Sequence, residues 1–200
     1  MANHPVEQLK QAWYSLPDYE QQHSFRSARV AVALGAKLGM AEKELVTFWY
    51  GAMLHDVGKA HVDRSILLKP GPLTPEEQIV VRKHPQHGHD MLAPIPGFKD
   101  SLDVPLYHHE RWDGYGYPRG LKGEAIPLAA RLFAVVDVWD ALRAARPYSP
   151  PWPDERAREH IIAGSGSHFD PTLVEQFIYS LRDKRLTMPT TSVLGRLPLN

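Results

Sequence analysis

Apolar residues in this chain mostly recur at three- and four-residue spacing, the period of a helix with one buried face. An all-α domain is expected. Phe25, Val30, Val32, Leu34 and Leu38 mark a helix over about residues 20–39, ended by Gly39. Leu45, Phe48, Trp49, Met53 and Leu54 mark a second over about 42–58, which Gly58 should stop. Lys69-Pro70-Gly71-Pro72 reads as a turn. Thr74-Pro75-Glu76-Glu77 has the capping-box pattern, which predicts a helix over about 75–92. Asp113 to Gly123 holds four glycines and a proline and must be a loop. Pro127 opens the next helix, whose buried face is Leu132, Phe133, Val136 and Leu142. Pro147 to Pro153 is a rigid extended crossing. Asp170-Pro171 opens a last helix to about Arg182. No repeat and no second domain are evident. Residues 1–15 are expected to be peripheral, 16–185 to form the domain, and 186–200 to be a flexible tail.

Formal charge is zero, with 23 basic and 23 acidic side chains. Bulk attraction to duplex nucleic acid or an anionic membrane is therefore not expected. No apolar run approaches the roughly 18 residues that a membrane span needs. The amino terminus lacks a basic stretch followed by an apolar core, so no signal peptide is read. The chain has no cysteine, which excludes thiolate metal sites and suits a reducing, cytoplasmic setting. Any metal must be held by imidazole and carboxylate. There are eleven histidines, seven of them between His55 and His109, and such clustering hints at a metal site. His4, His61, His87, His160 and His168 read better as surface residues.

Two motifs concentrate the chemistry. His55-Asp56-Val57-Gly58-Lys59 follows an apolar helix. Adjacent helical residues point about 100° apart, so both ligands can reach one metal only beside the helix terminus. An aspartate can also bridge two cations through its two oxygens. Downstream runs His108-His109-Glu110-Arg111-Trp112-Asp113-Gly114-Tyr115-Gly116-Tyr117-Pro118. Glu110 and Asp113 could orient His108 or His109, or could equally cap the loop. Asp140, one turn after Asp137, reads as structural. The glycines let backbone approach a ligand. Tyr117 could stack on a base or hydrogen-bond through its hydroxyl, whereas Trp112 and Tyr115 could pack the loop on the core.

The ordered pattern HDxGK, HHExxDGxGYP and a later aspartate resembles the HD-GYP family of the HD phosphohydrolase superfamily. The matched blocks run from about Tyr19 to Phe177. The resemblance implies an HD-domain helical bundle with a Gly/Pro-rich GYP loop. It implies a phosphodiesterase that hydrolyses cyclic di-GMP, with Asp56 and Lys59 as catalytic residues. It further implies two divalent cations, iron or manganese before zinc. His23, His55, Asp56 and Asp137 would hold one cation. His84, His108 and His109 would hold the other, with Asp56 shared. Some relatives bind a third metal through a glutamate four residues before the first histidine. That position is Tyr19 here, and Glu20 is expected to point elsewhere, so the expectation is two metals and linear pGpG as the end point, before GMP.

By the same resemblance Lys59 contacts substrate phosphate, alongside Gly116, Tyr117 and Pro118 of the loop and Arg146 of Arg146-Pro147-Tyr148. The family's next basic residue is replaced by Ser149. One lost charged contact costs about 1.5–3 kcal/mol, so substrate identity is open to another nucleotide such as cyclic GMP-AMP. A non-catalytic docking module is the alternative from outside enzymology. The loop is also expected to meet diguanylate cyclase (GGDEF) partners, and a homodimer is the default assembly. No receiver or sensor segment is read, so regulation is expected from a separate protein, ligand supply or metal oxidation state.

Overall fold

A computed structural model describes residues 5–144 and 150–182. Ten α-helices run through the described residues, and no strand occurs among them. They are α1 (Pro5–Ser15), α2 (Asp18–Lys37), α3 (Glu42–Met53), α4 (Arg64–Leu67), α5 (Pro75–Val81), α6 (His84–Leu92), α7 (Asp103–Tyr107), α8 (Leu128–Arg143), α9 (Asp154–Ala163) and α10 (Pro171–Arg182). The all-α expectation holds. Helix α8 runs through the centre and packs on α2, α7, α9 and α10, while α3 closes against α2 and α7. Leu34, Phe48, Phe133, Val136, Trp139 and Phe177 join in one buried cluster. No described helix is long and apolar enough to cross a membrane.

Local sequence explains most of the boundaries. Thr74 Oγ1 accepts from the Glu77 amide at 3.3 Å, and Glu77 Oε2 accepts from the Thr74 amide at 2.7 Å, so the capping box forms. Gly39 lies just past α2 at φ +83°, a left-handed terminator. Asp170 Oδ1 accepts from the Thr172 amide at 2.9 Å and caps α10.

Two expected helices are cut short. The helix expected over 75–92 is two helices, parted at Arg82-Lys83. Pro85 lacks an amide hydrogen and its ring excludes a preceding helical turn, so it can only open α6. The helix expected over 42–58 ends at Met53, and Val57–His61 forms a 3-10 turn. Gly58 is therefore not its terminator. A Cβ at Gly58 would collide with the His84 carbonyl oxygen and the Gly88 nitrogen, so glycine is required where this turn rests on α6. Helix α1 packs across the same turn. His4, Pro147 to Ser149 and the expected tail over 186–200 lie outside the described residues.

Candidate metal centre

Five elements deliver side chains to one buried point. His23 comes from α2, His84 from the first position of α6, and Asp137 from α8. His108 and His109 follow α7 directly. His55 and Asp56 lie in the turn after α3, where the helix has ended and adjacent side chains can face the same way. Ligand atoms of Asp56, His84, His108 and His109 form one mutually close group, and those of His23, His55 and Asp56 form another. Asp137 Oδ1 lies 2.8 Å from His23 Nε2 and 3.7 Å from His55 Nε2. Asp56 Oδ1 is 3.2 Å from His84 Nε2 and 3.8 Å from His108 Nε2, while its Oδ2 is 3.0 Å from His55 Nε2.

The second nitrogen of each ring fixes its orientation. His55 Nδ1 is 2.8 Å from the Ala52 carbonyl, His84 Nδ1 2.7 Å from that of Val81, and His108 Nδ1 2.9 Å from that of Val104. A carbonyl only accepts, so in each neutral ring Nδ1 carries the proton and Nε2 is a bare lone pair. His84 and His108 thus turn two lone pairs on each other at 3.2 Å. His55 Nε2 and Asp56 Oδ1 are buried without a hydrogen-bond partner. Metal cations held by the two groups would satisfy these atoms, and outer hydrogen bonds that orient imidazoles are characteristic of metal sites. The donor set of imidazole and carboxylate fits iron, manganese or zinc.

The electrostatics agree. Burial favours a neutral Asp56, but the neighbouring His55 and Lys59 outweigh it and hold the carboxyl well below its usual range. Asp137 is likewise lowered despite burial, through His23 and His55. Burial, then the neighbouring His108 and His84, pushes His109 well down and keeps it in its ligating form. His23 differs: burial pulls it down, yet hydrogen bonds to Asp137 and Asp140 raise it to about 9.

A second layer was only partly visible from sequence. Asp140 Oδ2 lies 2.8 Å from His23 Nδ1, and the same carboxylate takes a two-pronged contact from Arg26. It is structural in the sense that it aims His23. Glu20 does not point elsewhere. It is buried, and both its oxygens accept from Lys59 Nζ at 3.1 Å, because residues three apart share a helix face with His23. Lys59 also donates to Asp56 Oδ2 at 2.7 Å. Burial opposes its charge, but Asp56 and Glu20 raise its pKa, so it stays an ammonium. Tyr19, four residues before His23, reaches the Leu67 carbonyl at 3.5 Å.

In the loop, Glu110 accepts from the amides of Arg119 at 2.6 Å and Leu121 at 3.0 Å, and Asp113 accepts from Arg111 and the Tyr115 amide. Both carboxylates cap the loop. A Cβ at Gly116 would strike the Glu110–Arg111 backbone, so its smallness serves loop packing. Tyr117 stacks on His109 with centroids 4.8 Å apart, and the Arg82 guanidinium sits 5.2 Å from its centroid. Tyr115 does not pack on the core; it is 87% exposed. Arg146, Tyr148 and Ser149 lie outside the described residues. His61 and His160 are exposed; His87 and His168 are half-buried.

A cleft of about 430 Å³ opens on this cluster. Its lining combines His23, Asp56, Lys59, His109 and Asp137 with the apolar Val138, Ala141, Leu142 and Trp152. Gly116, Tyr117 and Pro118 do not line it; Tyr117 reaches the site by backing His109. A cavity of about 470 Å³ near α1 has no such cluster, so chemistry and not volume marks the site.

Fold and site define an all-α protein built around a paired imidazole–carboxylate centre able to hold metal ions. The HD domain profile matches residues 12–173. The chain belongs to this HD domain family, and its sequence relatives place it in the HD-GYP branch. It is 43% identical over 155 residues to the cyclic di-GMP phosphodiesterase response regulator RpfG of Xanthomonas campestris pv. campestris, covering 76% of this chain and 41% of that protein. It is 41% identical over 155 residues to the 3′3′-cGAMP-specific phosphodiesterase 2 of Vibrio cholerae, covering 76% of this chain and 30% of that one. The chain thus spans less than half the length of either relative. A solved HDGYP protein from Bdellovibrio bacteriovorus shares the fold, with a TM-score of 0.67 at 21% identity, over 82% of this chain and 52% of that one.

Proposed function

We propose that this domain hydrolyses cyclic di-GMP to linear pGpG. The observation that carries the reading is the convergence of two ligand groups on Asp56 beside a cleft whose only described lysine or arginine is Lys59. The relative named as a cyclic di-GMP phosphodiesterase supports the substrate. His23, His55, Asp56 and Asp137 would hold one divalent cation. His84, His108 and His109 would hold the second, with Asp56 common to both. Iron or manganese is the preferred pair, and zinc also suits the donors. When bound, such a pair polarises a phosphate oxygen and lowers the pKa of a water molecule.

The chain's own residues supply the rest. Rings locked by backbone carbonyls hold their Nε2 atoms fixed, so little reorganisation accompanies the reaction. The Lys59 ammonium faces the attacked phosphate and offsets its growing negative charge. Water oxygen adds to phosphorus, the bond to the ribose 3′ oxygen breaks, and that oxygen leaves with a proton. Arg146 is the further proposed substrate contact, while Gly116, Tyr117 and Pro118 act from behind the cleft, Tyr117 by backing His109. The exposed Tyr115 makes the loop tip the proposed meeting point with a diguanylate cyclase (GGDEF) partner.

The Vibrio relative motivates a second reading, hydrolysis of 3′3′-cGAMP. Protein loaded anaerobically with iron or manganese is incubated with both cyclic dinucleotides, and products are separated by chromatography. Release of pGpG is expected, and Asp56→Ala should abolish it while circular dichroism stays unchanged. Turnover of 3′3′-cGAMP alone selects the second reading. No turnover of either would overturn both.

A further inference from the structure

Beside the ligand cluster the cleft is lined by Val138, Ala141, Leu142 and Trp152. The first three share a face of α8 and Trp152 bonds to Leu142, so the four form one apolar stretch of wall. Trp152 is the flat member, and it is held firmly. Its amide donates to the Leu142 carbonyl at 2.8 Å. Pro151 and Pro153 flank it and restrict the backbone on either side. The Arg156 guanidinium covers one ring face at 3.8 Å from the centroid, and His160 meets the ring edge-on at 5.7 Å. With one face taken, the indole can offer a ligand only the other.

We propose that Trp152 is a nucleobase platform: it stacks a base of the substrate whose phosphate sits at the metal cluster. The proposal rests on reading the cleft as a phosphodiester site and adds a specificity-determining residue to it. A phosphodiester seated at the ligands must extend a substituent along the cleft. A wall without charge takes a planar, weakly solvated group better than sugar or phosphate. Aromatic side chains stack any base through its π face, so the residue enforces a base without choosing which one.

Binding tests this separately from turnover. Manganese-loaded protein is titrated calorimetrically with GMP and with ribose 5-phosphate, which keeps the phosphate and lacks the base. Wild type should bind GMP about tenfold or more tightly than ribose 5-phosphate. Trp152→Ala should remove that preference while leaving ribose 5-phosphate binding unchanged. Trp152→Phe keeps a π face and should retain most of it. Trp152→Leu keeps apolar volume alone and should behave like the alanine variant; thermal melts establish that each variant is folded. The proposal is overturned if wild type binds both probes equally or binds neither, or if the folded leucine variant keeps the preference for GMP. Failure of the cyclic di-GMP reading looks different: the GMP preference persists and cyclic di-GMP is not cleaved.

Discussion

His84 Nε2 and His108 Nε2 lie 3.2 Å apart, although the Nδ1 atom of each ring is committed to a backbone carbonyl. Two lone pairs held this close repel, and a metal cation would relieve that repulsion. His108→Ala should therefore lower metal content from two equivalents toward one, read by plasma emission on purified protein. His23→Ala should remove the other equivalent. A full two equivalents in both variants would show that the rings are held together for another reason.

Metal removal has a thermodynamic consequence. A ligand that binds only the folded state at 100 times its dissociation constant adds about 2.7 kcal/mol of stability. Stripping with a chelator should therefore lower the melting temperature by about 5–10 °C for a chain of this size. Restoring manganese should recover it, as measured by scanning calorimetry.

Gly58 and Gly88 face each other where the 3-10 turn meets α6, yet they are not equivalent. A Cβ at Gly58 would run into rigid α6 backbone, at the His84 carbonyl oxygen. A Cβ at Gly88 would meet its nearest atom at 3.4 Å, an ordinary contact. Gly58→Ala should cost about 1–3 kcal/mol and, by displacing His84, weaken metal binding. Gly88→Ala should be close to neutral or stabilising by up to about 1 kcal/mol, since alanine favours a helix interior. Denaturant melts with metal titrations separate the two.

The helices and their caps were legible because they are local. Apolar spacing, the Thr74 box and the Asp170 cap are all written within a few residues. What escaped depended on distance in the chain. Gly58 reads locally as a stop signal, but its reason is α6, 26 residues away at His84. Glu20 reads as pointing away from the site, and only the folded chain shows that it meets Lys59, 39 residues on. The ordered histidine motifs named the side chains that the fold gathers. The outer carbonyls and Asp140 that aim them carry no motif.

Lys59 sits between Glu20 and Asp56, so its two plausible duties can be separated. If it serves phosphate, Lys59→Met loses one charged contact, worth about 1.5–3 kcal/mol, and kcat/KM falls about ten- to a hundredfold. The same change leaves Glu20 and Asp56 unpaired and also lowers stability. Lys59→Met combined with Glu20→Gln should recover part of the stability but none of the activity. Steady-state kinetics beside thermal melts would expose a purely structural lysine, for which both would recover together.

His168 links acid sensitivity to the GYP loop. Its carbonyl accepts from the Trp112 amide at 3.1 Å, and the Ser167 carbonyl accepts from the Asp113 amide at 2.8 Å, so this segment clasps the loop. Burial, then the charge on Arg111, lowers the His168 pKa from 6.5 to about 4. The folded protein therefore holds His168 neutral where the unfolded chain has already protonated it. Between pH 6.5 and about 4 the unfolded state binds more protons, and stability falls as pH falls. Above that window His168 contributes no slope. His168→Gln removes one titrating group, so the loss of melting temperature between pH 7 and pH 5 should be smaller in the variant than in wild type. Equal losses in the two proteins would mean that the ring is solvated enough to protonate in place, and that the clasp is indifferent to its charge.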